Sequence, residues 1–280
     1  MIMAWRLIRQ DVHNIFESMA IDEAIFLHTI KNNTPPTLRF YSTKPAAVSL
    51  GYFQDAGREI DLEKCRQDGI DIVRRITGGK AVFHFQEITY CVAAVSGEQI
   101  FPKNIAGTYN VISACLACGL SYLGIEAHLA DGKRKATDID FESFCFASPS
   151  QNELLVEGKK ICGSAQVRSG GAFLQHGSLL IDIDHARAAA VMLVPEAGIA
   201  GSTTTLREQL GRAIGADELA RVLGGAFEDT LGIKLVDEGL TEAEEELKQQ
   251  LMAKKYSTYR WNREGKQDTG GKEGGAPADC

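Results

Sequence analysis

Two β-hairpins are predicted one after the other in the stretch Ser143–Asp184, and they constrain the fold more than any other feature of the chain. Their strands are predicted at Asn152–Val156, Ile161–Arg168 and Ala172–Asp182. The first turn, Glu157-Gly158-Lys159-Lys160, contains one glycine that can adopt positive φ, and the second, Ser169-Gly170-Gly171, contains two. Tight turns between strands leave side chains little positional freedom, so we expect reactive groups in this stretch.

Hydrophobic periodicity in the rest of the chain predicts helices and strands that alternate within one domain. Helices are predicted at Glu17–Lys31, Leu62–Asp68, Ala106–Leu123, Ala186–Val194, Asp217–Leu231 and Thr241–Lys255. Further strands are predicted at Trp5–Ile8, Leu38–Tyr41, Ala47–Tyr52, Ile70–Arg75, Ile88–Val95 and Ile233–Val236. Ser202–Gly215 is interpreted as a loop with a helical turn, and Asp217 as the cap of the helix that follows. Residues 1–262 should form the domain, and the glycine-rich residues 263–280 should be disordered.

Composition excludes several classes of protein. The net charge of −7 argues against general nucleic-acid binding. The chain is 44% hydrophobic and 24% charged, which is ordinary for a soluble protein. We see no apolar run approaching the roughly 18–20 residues of a membrane span, and the N-terminus lacks the apolar core of a signal peptide. We therefore expect a cytoplasmic protein that does not bind a membrane.

The seven cysteines are an odd number and fit no disulfide framework. Six of them are most simply reduced thiols: Cys65, Cys91, Cys115, Cys118, Cys162 and Cys280. Cys115 and Cys118 form a C-x-x-C pair inside an apolar helical pattern with no second pair. Two small core residues one helical turn apart explain that pair, and a metal or redox role is the alternative. We therefore expect no metal site.

A glycine turn, Thr77-Gly78-Gly79-Lys80, follows the strand that ends at Arg75. Its backbone N–H groups can face a ligand, although glycine turns are common and are not specific by themselves. Six basic residues fall in the glycine-turn region or in the hairpins, namely Arg74, Arg75, Lys80, Lys159, Lys160 and Arg168. If the two regions converge, this acidic protein carries a basic surface that attracts acidic partners.

The hairpin sequence EGKKICGSAQVR…LQHGSLLID resembles the lipoate–protein ligase A/B family, whose members share a catalytic core with biotin–protein ligases. That family has a catalytic lysine followed by an apolar residue, any residue and Gly-Ser/Thr-Ala. The pattern implies that Lys160, not Lys159, is the catalytic lysine, and that Gly163, Ser164 and Ala165 line the substrate site. The resemblance covers about Trp5–Asn262. It implies an α/β fold with a mixed, largely antiparallel sheet and helices on one side.

The run Cys145–Ser150, CFASPS, resembles one branch of this family, the cysteine-dependent octanoyltransferases that act on the glycine cleavage H protein. A cysteine at this place is the nucleophile of that branch and is lacking in ATP-dependent ligases, so the resemblance implies that Cys145 is catalytic. A free thiol titrates near pH 8.5, so we expect a nearby ammonium group such as Lys160 to favour the thiolate.

The segment Arg74–His84, RRITGGKAVFH, resembles the ligand loop of the family, and we call it the ligand loop. The resemblance implies that substrate contacts come from Arg74, Arg75, Thr77, Gly78, Gly79, Lys80 and His84. Ligases usually have a third glycine where this chain has Lys80, which argues against a ligase that uses ATP. Phe85 replaces an aspartate that is frequent in the family. His84 and His176 are interpreted as strand histidines with bonded partners, or as residues that line the pocket.

The resemblance implies an acyltransferase of lipoate biosynthesis. Its donor would be octanoyl-acyl carrier protein, and its acceptor a lysine of the H protein or of a lipoyl domain of a 2-oxoacid dehydrogenase. No cofactor and no ATP are expected, because a thioester is already an activated acyl group. Three alternatives stay open: an ATP-dependent lipoate ligase, an amidotransferase that moves octanoyl groups between lipoyl-bearing proteins, and a non-catalytic acyl- or lipoyl-binding protein.

Overall fold

A computed structural model of the chain describes residues 2–97, 100–130 and 153–265. The strands are β1 Met3–His13, β2 Thr37–Thr43, β3 Ala47–Leu50, β4 Asp71–Arg74, β5 Val82–His84, β6 Gln86–Val95, β7 His128–Leu129, β8 Leu154–Val156, β9 Lys159–Ser169, β10 Ala172–Asp182 and β11 Ile233–Asp237. The helices are α1 Ile15–Asn32, α2 Ala56–Glu59, α3 Leu62–Gln67, α4 Ile105–Tyr122, α5 His185–Met192, α6 Glu196–Ser202, α7 Leu206–Leu210, α8 Ala216–Leu231 and α9 Glu242–Leu251. Two π-helical turns follow α9, at Met252–Tyr256 and Arg260–Glu264.

A large mixed sheet has the strand order β11-β1-β2-β6-β10-β9-β8-β7. Strand β1 runs parallel to β11 and β2, and the other pairings in this sheet are antiparallel. The predicted hairpin strands occupy adjacent places in it as β8, β9 and β10. The mixed, largely antiparallel α/β architecture is therefore confirmed.

Helices cover both faces of the large sheet, and the expectation of helices on one side is wrong. Alternate residues of β6 show why, because successive side chains of a strand point to opposite faces. Ile88, Tyr90 and Val92 pack in the cluster that contains the apolar side chains of α4 and α8. Cys91 packs on the other face, with residues of α1.

Helix α4 is the one described helix that is long and apolar enough to cross a membrane by length and composition alone. In this fold Ile112 and Leu116 of α4 pack against Leu223 and Phe227 of α8, in the main core. Cys115 is buried in the same cluster, as the interpretation of the C-x-x-C pair as core residues predicts, whereas Cys118 is only partly buried. The apolar stripe of α4 is thus used by the domain itself.

A three-stranded sheet, β4-β3-β5, lies beside the large one and carries the ligand loop between β4 and β5. Its apolar face packs on α3, α5 and α6. Ser202–Gly215 contains a loop and one short helix, α7, as predicted, and α7 begins with a capping box formed by Thr205 and Glu208. Helix α6, which ends at Ser202, was not predicted. Gly215, not Asp217, occupies the cap position of α8. Described structure continues past the predicted boundary at residue 262 to Gly265, whereas residues 266–280 lie outside the described residues.

Candidate active site

A cavity with about 440 Å³ of atom-free space, part of it open to solvent, lies where the two sheets meet. Strands β9 and β10 form one wall, and the ligand loop with the small sheet forms the other. The lining residues are Met19, Tyr41, Ser49, Arg75, Gly79, Val82, His84, Thr89, Gly163, Ser164, Ala165, His176, Gly177 and Ser178. The two sequence motifs therefore converge on one cavity. It contains seven of the predicted residues, namely Arg75, Gly79, His84, Gly163, Ser164, Ala165 and His176.

Arg75 fixes the conformation of the ligand loop through hydrogen bonds to backbone carbonyls on its inner side. Its guanidinium group donates to the backbone carbonyls of Gly78 and Lys80, each at 2.8 Å, and to that of Ser49 at 3.0 Å. The side chain is only 4% exposed. Hydrogen bonds from a charged donor are stronger than neutral ones, so Arg75 fixes the path of the glycine turn.

The first of two hydrogen-bond relays joins Arg75 to α1. Arg75 Nε donates to Thr77 Oγ1 at 3.0 Å, Thr77 Oγ1 lies 2.8 Å from His176 Nε2, and His176 Nδ1 lies 3.1 Å from Asp22 Oδ2. Burial lowers the pKa of His176, so the ring is neutral. The donor pattern then puts its proton on Nδ1, toward Asp22, and lets the Thr77 hydroxyl donate to Nε2.

Asp22 stays ionised although it is buried. Burial raises its pKa, but the guanidinium of Arg39 at 2.5 Å and the contacts with His176 and Tyr41 bring that pKa below its usual value. The tyrosine hydroxyl donates to Asp22 Oδ2 at 2.9 Å. This carboxylate therefore orients His176 from outside the cavity.

The second relay also starts from Arg75 and again passes through a hydroxyl group and an imidazole to a carboxylate. Arg75 Nη1 donates to Ser49 Oγ at 3.2 Å, Ser49 Oγ lies 2.8 Å from His84 Nε2, and His84 Nδ1 contacts the carboxylate of Glu87. Glu87 also accepts from Ser178 and Thr89. The carboxylate that contacts His84 thus belongs to Glu87, three residues later in the chain.

The departure at Phe85 consequently does not deprive His84 of a carboxylate. Phe85 stacks on Phe83 with ring centroids 6.2 Å apart, and the guanidinium of Arg187 lies 5.7 Å from its ring. Phe85 therefore belongs to the packing of the small sheet.

Glycines allow the ligand loop to lie against the small sheet. A Cβ atom on Gly51, at the end of β3, would lie 1.9 Å from the carbonyl oxygen of Gly79, so only glycine fits. Gly79 itself has φ +89°, a conformation that L side chains rarely adopt. Nothing lies within 4 Å of a Cβ on Gly78, so that glycine faces open space beside the cavity.

Lys160 is buried, with 1% exposure, and pairs with the carboxylate of Glu153. The first hairpin turn places it there, because Glu157 at φ +51° and Gly158 at φ +79° reverse the chain directly before β9. The Lys160 side chain then runs along the strand, and its Nζ lies 2.8 Å from the place of a Cβ on Gly163. Lys159, by contrast, is exposed. The structure thus separates the two lysines as the motif predicts.

Ser164 has its hydroxyl held from the core side of the cavity. Tyr90 OH lies 2.7 Å from Ser164 Oγ, and Gln175 Nε2 donates to Tyr90 OH at 2.9 Å. Burial raises the pKa of Tyr90 well above its ordinary value, so the phenol keeps its proton and can donate it. Ser164 therefore presents a fixed oxygen to the cavity.

Three of the six residues expected on a basic surface, Arg74, Arg75 and Lys160, are buried, whereas Lys80 and Arg168 are half-buried and Lys159 is exposed. Arg74 is 2% exposed and donates to the carbonyls of Gly51, Tyr52, Gln54 and Trp261. Arg168 donates to the carbonyls of Lys103 and Asn104 ahead of α4. These arginines, like Arg75, are committed to backbone oxygens. Lys80 is half-buried on the ligand loop, outside the cavity lining, and is the remaining candidate for partner contact among these four.

Cys145 lies outside the described residues, as do the rest of the CFASPS run and Cys280. The described chain stops at Ala130 and resumes at Glu153, and these ends are joined by a 2.8 Å hydrogen bond from Ala130 N to Glu153 O. The chain therefore returns from the segment that contains Cys145 at the carboxylate that pairs with Lys160.

The five described cysteines, Cys65, Cys91, Cys115, Cys118 and Cys162, are free thiols, as expected. Cys162 lies close to Lys160 in sequence, but burial raises its pKa to about 12, so it is not a thiolate at neutral pH. Within the described ranges no group of three or more His, Cys, Asp or Glu side chains could hold a metal ion.

Three carboxylates of the site were not predicted: Asp22, Glu87 and Glu153. Asp22 stands 154 residues from its partner His176, so no local pattern joins them. Glu87 follows His84 by three residues, and this short separation was the sequence signal that could have indicated the pair. Glu153 precedes Lys160 by seven residues and lies directly before β8, the preceding strand of the hairpin.

Comparison with known proteins agrees with this geometry. The model of the lipoyl protein ligase A/B catalytic domain matches residues 14–228. An octanoyltransferase LipM from Symbiobacterium thermophilum is 41% identical over 92% of this chain and 97% of its own length. Another from Kyrpidia tusciae is 38% identical over 93% and 99%, respectively.

Solved structures of ligases share the fold. A lipoate-protein ligase A bound with ATP has a TM-score of 0.80 and 29% identity over 93% of this chain and 99% of that one. A bipartite lipoate protein ligase from Thermoplasma acidophilum, solved in a study that includes its E2 lipoyl domain, has a TM-score of 0.79 and 28% identity over 93% and 96%. The chain belongs to the lipoyl protein ligase A/B catalytic domain family.

Proposed function

We propose that this protein is an octanoyltransferase of lipoate biosynthesis that works through an acyl-enzyme on Cys145. The observation that carries the proposal is the 41% identity to an octanoyltransferase over nearly the full length of both chains. The donor is octanoyl-acyl carrier protein. The acceptor is a specific lysine of the glycine cleavage H protein or of a lipoyl domain.

The cavity supports binding of an acyl thioester. Met19, Val82 and Ala165 supply apolar surface for the hydrocarbon chain, and the fixed hydroxyl of Ser164 supplies a polar contact. Ligand pockets commonly combine mostly apolar walls with a few fixed polar groups. The glycine turn adds backbone N–H groups at the edge of the same space.

The reaction has two acyl transfers. In the first, the Cys145 thiolate attacks the carbonyl of the donor thioester, a new C–S bond forms, and the bond to the carrier thiol breaks. The carrier sulfur leaves as a thiolate that takes up a proton. In the second, the neutral acceptor lysine amine attacks the acyl-enzyme, the amide C–N bond forms, and the thioester C–S bond to Cys145 breaks. The Cys145 sulfur leaves as a thiolate, and the amine nitrogen loses a proton to solvent.

Lys160 assists both steps in this proposal. A positive ammonium near Cys145 favours its thiolate, and it also stabilises the oxyanion of each tetrahedral intermediate. The Glu153 carboxylate beside it keeps that ammonium in place. Since the thioester donor is already activated, neither ATP nor another cofactor takes part, and we place the reaction in the cytoplasm.

One experiment tests the proposal. The purified protein is mixed with octanoyl-acyl carrier protein, with and without ATP, and its intact mass is measured. We expect one added octanoyl group without ATP, absent from Cys145→Ala and retained in Cys162→Ala, the matched control with a buried thiol. Persistence of the label in Cys145→Ala would falsify the assignment of the nucleophile.

Other outcomes identify the alternatives. Modification of the acceptor that needs free lipoate and ATP would make the protein a ligase like its structural neighbours. Transfer only from an octanoylated lipoyl-bearing protein would make it an amidotransferase. Tight ligand binding without transfer would make it a binding protein.

A further inference from the structure

The C-terminal segment, defined as Met252–Glu264, is bonded to the base of the ligand loop. Trp261 Nε1 donates to the carbonyl of Arg74 at 2.7 Å, and the Arg74 backbone N–H donates to Asn262 Oδ1 at 3.1 Å. The Arg74 guanidinium returns a 3.1 Å bond to the Trp261 carbonyl. Trp261 and Asn262 are 1% and 5% exposed, so these bonds are shielded from water.

Arg74 also connects the C-terminal segment to the turn at residues 51–54, which lies next to the ligand loop. Its Nη1 donates to the carbonyls of Gly51 and Tyr52 at 3.0 Å and to that of Gln54 at 2.7 Å. Tyr52 N in turn donates to the Thr77 carbonyl at 2.9 Å. A continuous set of hydrogen bonds therefore runs from the C-terminal segment to the residue that begins the glycine turn.

The C-terminal segment is itself anchored on α1. Lys255 Nζ lies 2.8 Å from both carboxylate oxygens of Glu23, and Tyr256 OH donates to the same carboxylate at 2.5 Å. The Lys255 ammonium also lies 4.0 Å from the centre of the Trp261 ring. The indole that reaches Arg74 is thus held from two sides.

We infer that Trp261 and Asn262 are positioning residues for the ligand loop, although neither lines the cavity. They lie beyond residue 228, where the match to the family's catalytic domain ends, yet they complete the support of its ligand loop. The expected effect on the octanoyl donor rests on the proposed function, whereas the restraint of the ligand loop by Trp261 and Asn262 does not. Losing one of these bonds leaves a buried polar group of Arg74 unpaired and lets the loop move.

Two measurements on Trp261→Phe and Asn262→Ala test the inference. The first is backbone amide hydrogen exchange of residues 76–81 in the free protein, which should be faster in both variants than in the wild type. The second is steady-state transfer, in which we expect the KM for the octanoyl donor to rise about tenfold, with a smaller change in kcat. Phenylalanine keeps an aromatic ring at position 261 but removes the N–H donor and part of the buried indole volume, whereas Asn262→Ala removes the second bond to Arg74 without changing the indole.

Two further variants serve as comparisons. Tyr259→Ala changes a 73% exposed side chain of the same segment and should leave loop exchange and KM as in the wild type. Asn262→Asp keeps the oxygen that accepts from Arg74 N but loses the donor to the Tyr256 carbonyl, to which Asn262 Nδ2 donates at 2.7 Å. Its loop exchange should therefore lie closer to the wild type than that of Asn262→Ala, with a lower thermal midpoint. Wild-type loop exchange and KM in both test variants, with only a lower thermal midpoint, would overturn the inference. If the wild type transfers no octanoyl group, the proposed function fails while the exchange comparison still decides on the loop.

Discussion

The ammonium group of Lys160 lies against the carboxylate of Glu153, and both side chains are almost fully buried. Lys160 begins the lysine motif on β9, and Glu153 is where the described chain resumes after the segment that contains Cys145. A buried ion pair is costly to leave half-formed. The pair therefore ties the position of the predicted catalytic lysine to the residue that follows the segment containing the proposed nucleophile.

Lys160→Ala should lower transfer about 10²–10³-fold, as loss of an oxyanion-stabilising group does, whereas Lys159→Ala should change it little. Steady-state transfer from octanoyl-acyl carrier protein measures the difference. Because Glu153 left alone would destabilise the fold by about 3–5 kcal/mol, the double variant Lys160→Ala/Glu153→Gln is needed as well. It should regain thermal stability without regaining activity. Equal losses from the two lysine variants would mean that they act only as positive charge.

Gly163→Ala should displace the lysine without removing it. The new Cβ would lie 2.7 Å from Lys160 Cε and 2.8 Å from its Nζ, closer than real Cβ contacts come, so the side chain must shift. We expect at least a tenfold loss of kcat, since small displacements of catalytic groups can cost about 10²-fold. Gly198→Ala on α6 is the control, because nothing lies within 4 Å of its added Cβ. Wild-type kcat in Gly163→Ala would show that the lysine's position along β9 is unimportant.

The parts of the site that lie on local patterns could be predicted from sequence. The hairpin turns depend on neighbouring residues such as Gly158, and the ligand loop depends on Gly78 and Gly79. The register that buries Lys160 and exposes Lys159 also follows from strand alternation.

Partners brought together by the tertiary fold could not be predicted. Asp22 and His176 are 154 residues apart, and Trp261 and Arg74 are 187 apart, so no periodicity connects them. The sequence marked Arg74 as basic but could not tell a surface charge from a buried donor, which depends on where backbone carbonyls converge. Helix coverage of both sheet faces likewise depends on packing.

His176 should make stability depend on pH in a defined window. Burial, reinforced by the nearby charges of Arg75 and His84 and opposed by Asp22, lowers its pKa in the folded state. The unfolded imidazole takes up a proton below about pH 6.5, while the folded one stays neutral. Its contribution to stability is therefore complete above that pH and is lost as pH falls toward the lower folded pKa.

Chemical denaturation between pH 7 and pH 5 measures this effect. The free energy of unfolding should fall by up to about 1.4 kcal/mol per pH unit from this group, and His176→Gln should lack that part of the slope. His128→Gln, on the exposed strand β7, should keep it. An unchanged slope in His176→Gln would show that His176 gains its proton equally in both states.

Lys80→Glu should slow encounter with the protein partners and weaken the dependence of the rate on salt. The expected donor and acceptor are acidic by family resemblance, and this chain carries a net charge of −7, so productive approach needs local positive charge. Arg74, Arg75 and Arg168 are committed to backbone carbonyls, which leaves Lys80, half-buried on the ligand loop, as the group among the four that can meet a partner. Screening acts over about 8 Å at physiological ionic strength, so the wild-type rate should fall as salt rises.

Stopped-flow acylation at several salt concentrations separates association from chemistry. Lys80→Glu should lower the association rate at low salt and leave the rate of acyl transfer from the preformed acyl-enzyme to a small amine unchanged. Lys234→Glu is the matched control, because it makes the same charge change on β11, where Lys234 pairs with Glu228. If Lys80→Glu and Lys234→Glu behaved alike, net charge would explain the effect, and Lys80 would be a solvated residue of the loop with no part in docking.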